Sequence, residues 1–436
     1  MSRSQRTTAA VVMAAAALLL AACTPGSASN PGAAANPGTS DAATPSEDAG
    51  SAAPVTIQYA TFSANAGNEE NLQAMIDAFE AAHPNITIDA QIFPYGDYFT
   101  TLQTAIAGGT VADTFELNYE SFAQYASAGA LTPITDLPEG VYQDSLLQGF
   151  QRDGEQLGLP LSYSDIVLIY NPDLFAAAGI EPPTADWTWQ DETAAATAIT
   201  DKANGVFGDM QPIGYNEFYK ALVQAGGQFL SDDGTTTAFN SPEGVAAAHW
   251  LLDKYGTTMA TEQDGLGTPD FDKNLFQAGK LAMWHTGIWM FGPLADTSFA
   301  WDVVPEPAGP GGEGSGMFAN GVFVSKTTAH PQEAQEWLQF LTSSDETVQI
   351  RLDAAWELPP VADDSKMATY LEATPPANRQ AVLDSVANGV LPPKVVRGQE
   401  ISDAFNEALT AARDGSKTVE QALADAQTTI DELLAD

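Results

Sequence analysis

The chain has 436 residues, of which 57 are acidic and 16 are basic, and its formal net charge at pH 7 is −41. A negative charge this large excludes nucleic acid as a natural partner, because binding to a phosphate backbone depends on lysine and arginine. It also disfavours electrostatic docking on anionic lipid. The length exceeds what one hydrophobic core usually serves, and it therefore predicts two lobes.

The N-terminus has the pattern of a secretory signal. Arg3 and Arg6 precede an apolar run over residues 9–22 that ends at a cysteine. This pattern predicts a signal peptide over residues 1–22 and an exported protein. The run is too short for a transmembrane helix, and no other stretch approaches the roughly 20 apolar residues that span a bilayer.

Cys23 is the only cysteine, so the chain has no intramolecular disulfide. The residues Leu20-Ala21-Ala22-Cys23 resemble the lipobox of bacterial lipoproteins, in which the cysteine is acylated and becomes the new N-terminus. The resemblance implies lipidation at Cys23 and anchoring at the extracellular face of the cell membrane; an unmodified buried thiol is the alternative. Residues 23–53 are then the lipidated cysteine and a tether, which is predicted to be disordered because it has no apolar periodicity.

The first elements after the tether predict a strand, a helix and a second strand. Residues 55–62 favour a strand, apolar residues then recur at helical spacing until Pro84, and alternation follows. The residues concerned are Leu72, Met75, Ile76 and Phe79 in the helix and Ile86, Ile88 and Ile92 in the strand. This βαβ unit predicts an α/β fold with a right-handed crossover. Ligands bind at the carboxyl ends of such strands, so we expect Asn65, in the loop 63–68, to contact a ligand.

The last segment predicts an amphipathic helix. Thr418 and Gln421 have the spacing of a capping box, in which each side chain bonds the backbone of the other residue. The apolar residues behind this cap fall on one face, namely Val419, Leu423, Ala426, Ile430 and Leu433. The helix therefore packs on the body through that face.

Short motifs along the chain occur in an order that belongs to one family. They cover residues 79–86, 102–109 with 112–113, 129–134, 158–160, 169–175 with 178–180, 225–227, 276–283 and 356–360. In this order they resemble the extracellular sugar-binding proteins of ATP-driven ABC importers, the maltose-binding-like group of family 1 solute-binding proteins. The resemblance extends from residue 55 to residue 434.

The resemblance implies a two-lobed periplasmic-binding-protein-like fold of type II. Each lobe has a mostly parallel sheet flanked by helices, and strands that cross between the lobes form a hinge. By analogy, lobe 1 holds residues 54–159 and 317–362, and lobe 2 holds residues 160–316 and 363–436. A neutral di- or oligosaccharide is trapped when the lobes close and is delivered to the transmembrane permease subunits. The resemblance also implies a monomer without a cofactor.

Sugar recognition needs flat apolar rings together with amides and carboxylates that engage neighbouring hydroxyls. The strongest cluster follows the family strand at 276–283, where the resemblance places the chain at the ligand cleft. We expect Trp284 or His285, and Trp289, to contact the sugar. Packing in the core is the alternative for both tryptophans, and a satisfied buried imidazole is the alternative for His285.

Further candidates lie in segments that the α/β pattern, or the family resemblance, places near the cleft. Asn118 and Tyr119 follow a strand, although Asn118 also suits a helix N-cap. Glu217 is a hydroxyl acceptor or simply a charge at a helix N-terminus. The remaining candidate contacts are Tyr163, Asp165, Tyr215, Asn320 and Trp356.

One segment departs from the family pattern. Maltose-binding relatives have a stacking aromatic residue ahead of the penultimate helix, whereas this chain has residues 395–401 with Arg397 in that region. Arg397 is a further candidate contact, by stacking or hydrogen bonding. The difference argues against maltose itself as the ligand.

The residue inventory gives little support to catalysis. The chain has four histidines and one cysteine, so it has no zinc site of ordinary spacing and no cysteine nucleophile. Residues 309–314 match a dinucleotide-binding GxGxxG pattern in letters only, because they follow two prolines and open no helix. We therefore expect no enzyme, metal or cofactor. A receptor of this fold for glycerol phosphate, peptide or iron, and a lipoprotein glycosidase, are the alternatives.

Overall fold

A computed structural model describes residues 53–64 and 67–435 of the protein, except for the side chain of Asp364. The predicted signal peptide, the predicted lipidation site Cys23, the tether up to residue 52 and the candidate contact Asn65 lie outside the described residues.

The described residues form eleven strands and sixteen α-helices. The strands are β1 (Val55–Thr61), β2 (Ile86–Ile92), β3 (Thr114–Asn118), β4 (Leu131–Thr132), β5 (Gln151–Arg152), β6 (Glu155–Gln156), β7 (Leu159–Tyr170), β8 (Met283–Gly287), β9 (Asp302–Val304), β10 (Ser315–Ser325) and β11 (Gly389–Val390). The helices are α1 (Glu69–Ala82), α2 (Tyr95–Gly108), α3 (Tyr119–Ser127), α4 (Asp144–Gly149), α5 (Pro172–Ala178), α6 (Trp189–Ile199), α7 (Tyr215–Gln224), α8 (Pro242–Leu252), α9 (Phe271–Gln277), α10 (Phe291–Leu294), α11 (Pro331–Ser343), α12 (Asp345–Asp353), α13 (Met367–Glu372), α14 (Gln380–Ala387), α15 (Gly398–Arg413) and α16 (Val419–Ala435).

Nine strands form one sheet, with the central order β2-β1-β3-β10-β7-β8. β1 is parallel to β2 and β3, which confirms the predicted βαβ unit. In contrast, β10 is antiparallel to β3 and β7, and β7 is antiparallel to β8 and β9. Parallel pairing is therefore less extensive than the sequence suggested, because β10 returns from late in the chain into the middle of the sheet.

The long strands β7 and β10 connect the two halves of the sheet. The first part of β7 pairs with β10, and its last five residues pair with β8 or β9. β10 in turn uses its later residues to pair with β3. All residues of β7 except Tyr170 are buried, as is typical of a strand in the interior of an α/β protein. These strands have the connectivity expected of strands that cross between lobes.

Separate apolar clusters lie in the two halves of the molecule. One is built by β1, α1 and α11, with Ile57, Phe79 and Trp337 fully buried. Another is built by α7, α8, α15 and α16, and includes Phe218 and Phe405. These two clusters draw on different helices. A third and larger cluster, which includes Phe115 and Trp301, contains residues of both halves.

The C-terminal helix α16 forms as predicted. The Thr418 N–H donates to Gln421 Oε1 at 3.1 Å, and the Gln421 N–H donates to Thr418 Oγ1 at 3.2 Å, which completes the capping box. Leu423, Ala426 and Ile430 are buried. Of the helices in the described part of the chain, none has both the length and the apolar character needed to cross a membrane.

Candidate functional site

Two adjoining cavities, of about 680 Å³ and 280 Å³, form a cleft between α2 and α3 on one wall and α7 and α15 on the other. The two cavities share Tyr215, Asn216, Ser402 and Asn406. We call their union the cleft. The α2–α3 wall contributes Tyr95, Phe99, Gln103, Asn118, Glu120 and Gln124, and the floor of the smaller cavity contributes Ile166, His285, Trp289 and Phe318.

The α2–α3 wall combines an aromatic ring with an amide. Tyr95, the first residue of α2, is 55% exposed, and its ring rests edge-on against Phe62 with a centroid separation of 5.3 Å. Asn118 Oδ1 accepts from the Ser121 N–H at 3.1 Å, so Asn118 is the N-cap of α3. Its Nδ2 donates to the Tyr95 hydroxyl at 3.3 Å. Asn118 thus caps a helix and also lines the cleft.

Tyr119 turns away from the cleft. Its ring packs edge-on against Phe150 at 6.2 Å, and the Lys394 ammonium lies 5.3 Å from its ring centroid. The lining of the cleft does not include it. The residue that follows it, Glu120, faces the cleft instead.

The opposite wall is the N-terminal turn of α7. The ring of Tyr215 packs edge-on against Phe229 at 5.1 Å, and its backbone N–H donates to Asn406 Oδ1 at 2.8 Å. Glu217 Oε2 accepts from Lys220 Nζ at 2.6 Å and from Gln211 Nε2 at 2.8 Å. Both predicted contacts on this wall line the cleft, and Glu217 is already held in a polar network.

The two predicted tryptophans have different environments. Trp289 lines the smaller cavity and packs edge-on against Phe318 at 5.6 Å. Gly287 permits this position, because a Cβ at Gly287 would lie 1.9 Å from the indole of Trp289. Trp284 is only 2% exposed, belongs to the core and packs against Phe276 at 6.0 Å. The expectation that Trp284 lies at the cleft is therefore not met, since successive residues of a strand point to opposite faces.

His285 lies at the base of the cleft within a buried ionic network. Its Nδ1 is 2.6 Å from Glu306 Oε1, and its Nε2 is 3.0 Å from Glu192 Oε1 and 3.3 Å from Asp209 Oδ1. Burial lowers the pKa of His285, but the neighbouring carboxylates outweigh burial and raise it well above its usual value. Because both ring nitrogens face carboxylates, both must donate, and the ring is an imidazolium.

The same network contains the donor set of a possible metal site. Ligand atoms of Glu192, Asp209 and His285 lie within 4.8 Å of one another. However, Lys254 Nζ is 2.6 Å from Glu192 and 2.8 Å from Asp209. The ammonium group supplies the positive charge that these carboxylates require, so we assign the cluster as ionic.

Four other predicted contacts are buried beside or below the crossing strands and do not line the cleft. Tyr163 is 5% exposed and its hydroxyl accepts from Gln143 Nε2 at 3.2 Å. Asp165 is fully buried, and burial raises its pKa well above the usual value. Asn320 pairs with Asn118 across β10 and β3, and Trp356 packs beneath the Arg351 guanidinium at 4.5 Å. The structure does not bring these four side chains to the cleft, and the residues of β7 and β10 that line it are Ile166 and Phe318 instead.

Arg397 lies at the rim, where it precedes α15. Its Nε donates to Glu400 Oε2 at 2.7 Å, and Glu400 lines the cleft. The guanidinium is therefore near the site but is engaged with an acid of its own helix.

Sequence reasoning missed Tyr95 and the polar face of α15. Tyr95 follows the carboxyl end of β2, so the rule that predicted Asn65 could also have found Tyr95. Gln399, Asp403 and Asn406 lie on one face of α15, opposite the buried Ile401 and Phe405. That polar face could not be recognised, because any solvent-facing helix surface has the same pattern.

A larger groove, of about 1020 Å³, lies between α6 and α8, outside the cleft. The indoles of Trp189 and Trp250 stack there with centroids 4.6 Å apart, and the Lys254 ammonium lies 3.7 Å from the Trp250 ring. These rings are occupied by one another and by Lys254, and α2 and α3 contribute no residue to the groove. The cleft, which draws on both halves of the molecule, is therefore the better candidate for a ligand site.

Several known binding proteins are similar to this chain in sequence or in structure. An ABC substrate-binding protein from Listeria monocytogenes, solved in complex with cycloalternan, is 39% identical, with a TM-score of 0.84 over 87% of this chain and 99% of that chain. A binding protein of Brucella abortus is 26% identical over 89% of this chain and 94% of its own. A lipoprotein of Streptomyces antibioticus is 24% identical over 70% of each chain.

Solved structures that resemble this chain, the Listeria monocytogenes protein among them, confirm the two-lobed, maltose-binding-like architecture predicted from the motifs. Residues 65–348 match the family described as bacterial extracellular solute-binding proteins. This match covers more than half of the chain, and the protein belongs to the bacterial extracellular solute-binding protein family.

Proposed function

We propose that this protein is the substrate-binding component of an ATP-driven carbohydrate importer and that it holds a neutral di- or oligosaccharide in the cleft. One observation carries the proposal: the chain has a cleft of suitable size, and a relative that is 39% identical over almost its whole length was solved in complex with the oligosaccharide cycloalternan. Tyr95 and Trp289 offer ring faces, and Asn118 and Glu217 offer planar polar groups. Such a combination suits the alternating apolar and hydroxylated faces of sugar rings.

The charge of the cleft supports a neutral ligand. Its described lining contains one basic group, His285, which is bonded to carboxylates through both ring nitrogens. A phosphate ligand would need unpaired basic side chains at this place. The lining therefore favours hydroxyl recognition over binding of a phosphorylated solute.

We further propose that the lobes comprise residues 54–159 with 317–362 and residues 160–316 with 363–436. The separate apolar clusters and the crossing strands β7 and β10 support this division. Under it, the cleft lies between the lobes, with α2 and α3 on one side and α7 and α15 on the other. We also propose a monomer that delivers its sugar to transmembrane permease subunits, as is general for this kind of receptor.

A thermal-shift screen tests the proposal. Cycloalternan, maltotriose, mannotriose and arabinotriose are compared, each at increasing concentration, with mannitol as the polyol control. A bound sugar stabilises the folded state by RT ln(1 + [L]/Kd), about 2.7 kcal/mol at a hundredfold excess over Kd. At least one oligosaccharide should raise Tm in a saturable manner. If none of the four shifts Tm while glycerol phosphate or a peptide does, the assignment to sugars is wrong.

A further inference from the structure

Glu120 is an acid that the described hydrogen bonds and ion pairs leave unused. It is the second residue of α3, it lines the larger cavity of the cleft, and it is partly buried. Burial raises the pKa of Glu120 to about 7. Among the described residues, no other residue donates a hydrogen bond to its carboxylate, and its own backbone N–H acts against the effect of burial on its pKa. The remaining solvation of the carboxylate therefore depends on what fills the cleft.

The other charged side chains that line the cavity of Glu120 are acidic, and its neutral polar side chains are hydroxyls and amides. Burial first, and then the charge of Glu120, raise the pKa of Tyr215 on the opposite wall, so the carboxylate acts across the cleft. The facing helix α15 contributes Glu400 and Asp403 to the same cavity.

The two cations of this region are engaged elsewhere. Lys394 Nζ donates to the Gly149 carbonyl at 2.8 Å and lies over the ring of Tyr119. Arg397 pairs with Glu400. In the described lining, therefore, no basic side chain neutralises Glu120.

We propose that Glu120 makes the cleft select its saccharide by charge: an amine on the sugar ring beside Glu120 strengthens binding, and a carboxylate there prevents it. The inference rests on the proposed function and adds a specificity-determining residue to it. An ammonium group gives the carboxylate a charge-assisted hydrogen bond, whereas a hydroxyl gives a neutral donor. A uronic acid would place its carboxylate beside the carboxylate of Glu120, which is already partly removed from water. The two negative charges repel each other, and no nearby cation of the described lining offsets that repulsion.

The test uses probes that share one skeleton. The parent is the oligosaccharide that raises Tm most among cycloalternan, maltotriose, mannotriose and arabinotriose. In its derivatives, each ring in turn carries either an amine in place of one hydroxyl or a carboxylate in place of its hydroxymethyl group. Titration calorimetry at pH 8 compares the wild type with Glu120→Gln. Asp403→Asn is the matched control, because Asp403 lies on the opposite wall of the same cavity and is exposed.

In the wild type, one aminated derivative should bind roughly tenfold more tightly than the parent, and the carboxylated derivative of the same ring at least tenfold more weakly. Glu120→Gln should reduce both differences to less than threefold, each measured against the parent sugar on the same variant. Asp403→Asn should retain both differences. The amine preference should also shrink from pH 8 to pH 6 as Glu120 takes up a proton. Equal affinity for the parent and all derivatives, or unchanged discrimination in Glu120→Gln, overturns the inference while the proposed function stands. If no parent binds, the proposed function fails first.

Discussion

Trp284 and Trp289 provide a matched pair of substitutions, because the same side chain is removed from the core in one and from the cleft in the other. Trp289 is partly exposed, lines the smaller cavity and contacts Phe318 through one edge. Removing an aromatic ring against which a sugar stacks should cost on the order of 2 kcal/mol of binding. That loss corresponds to a Kd about thirtyfold weaker. The loss of the Phe318 contact should cost roughly 0.5–1.5 kcal/mol of stability.

Trp284→Ala should behave in the opposite way. The indole is 2% exposed, and its removal leaves a cavity in a well-packed core. Substitutions of this kind cost roughly 3–5 kcal/mol of the free energy of unfolding. Sugar affinity should change less than threefold in the fraction that remains folded, since the side chain does not line the cleft.

Both quantities are measured on the same preparations, binding by titration calorimetry and stability by urea unfolding. The m-value shows whether each variant unfolds from the same compact state. If Trp289→Ala binds sugar as tightly as the wild type, the smaller cavity is not a sugar site. If Trp284→Ala weakens binding thirtyfold with unchanged stability, the separation of core from cleft is wrong.

Three further predictions address other parts of the molecule. Cys23→Ser should release the protein into the medium, and membrane retention of that variant in a fractionation assay would contradict lipidation. Sugar incubated with the protein should be recovered intact by chromatography; products that accumulate with time and vanish in one acid-to-amide variant would indicate a glycosidase. Burial raises the pKa of Glu116 to about 7, so this carboxyl group binds a proton more tightly in the folded state than in the unfolded state. Its contribution to stability is therefore complete below pH 4.5 and is lost as the pH rises through 7. Glu116→Gln should therefore flatten the pH dependence of urea unfolding by on the order of 2–3 kcal/mol between pH 5 and 8, and an unchanged profile would contradict the assignment.

The fold could be predicted wherever local pattern and family motifs agreed. The βαβ unit and the capped helix α16 depend on periodicity and on neighbours in sequence, and both form as expected. Tyr215 and Glu217 could be named because the family resemblance points to this helix start, and both residues line the cleft. These features require little knowledge of distant contacts.

The rest of the site depends on which face of a buried element meets the cleft. Every residue of β8 is buried, so alternation cannot show that Trp284 faces the core while His285 faces the cleft. The partners of His285 come from distant segments, and Lys254 bonds Glu192 across 62 positions of sequence. Such a network has no local signature, since its members look like ordinary surface acids and lysines until the chain folds.

The position of β10 in the sheet also affects the order in which the protein folds. It lies between β3 and β7, and its pairing of Asn320 with Asn118 joins segments separated by about 200 residues. The sheet that begins with β1 therefore has an unpaired edge on β3 until roughly three quarters of the chain has emerged. Contacts this distant in sequence slow folding, because the loop entropy is lost before the contacts form. For a chain that is predicted to be exported, the central sheet therefore cannot be completed until β10 has been synthesised.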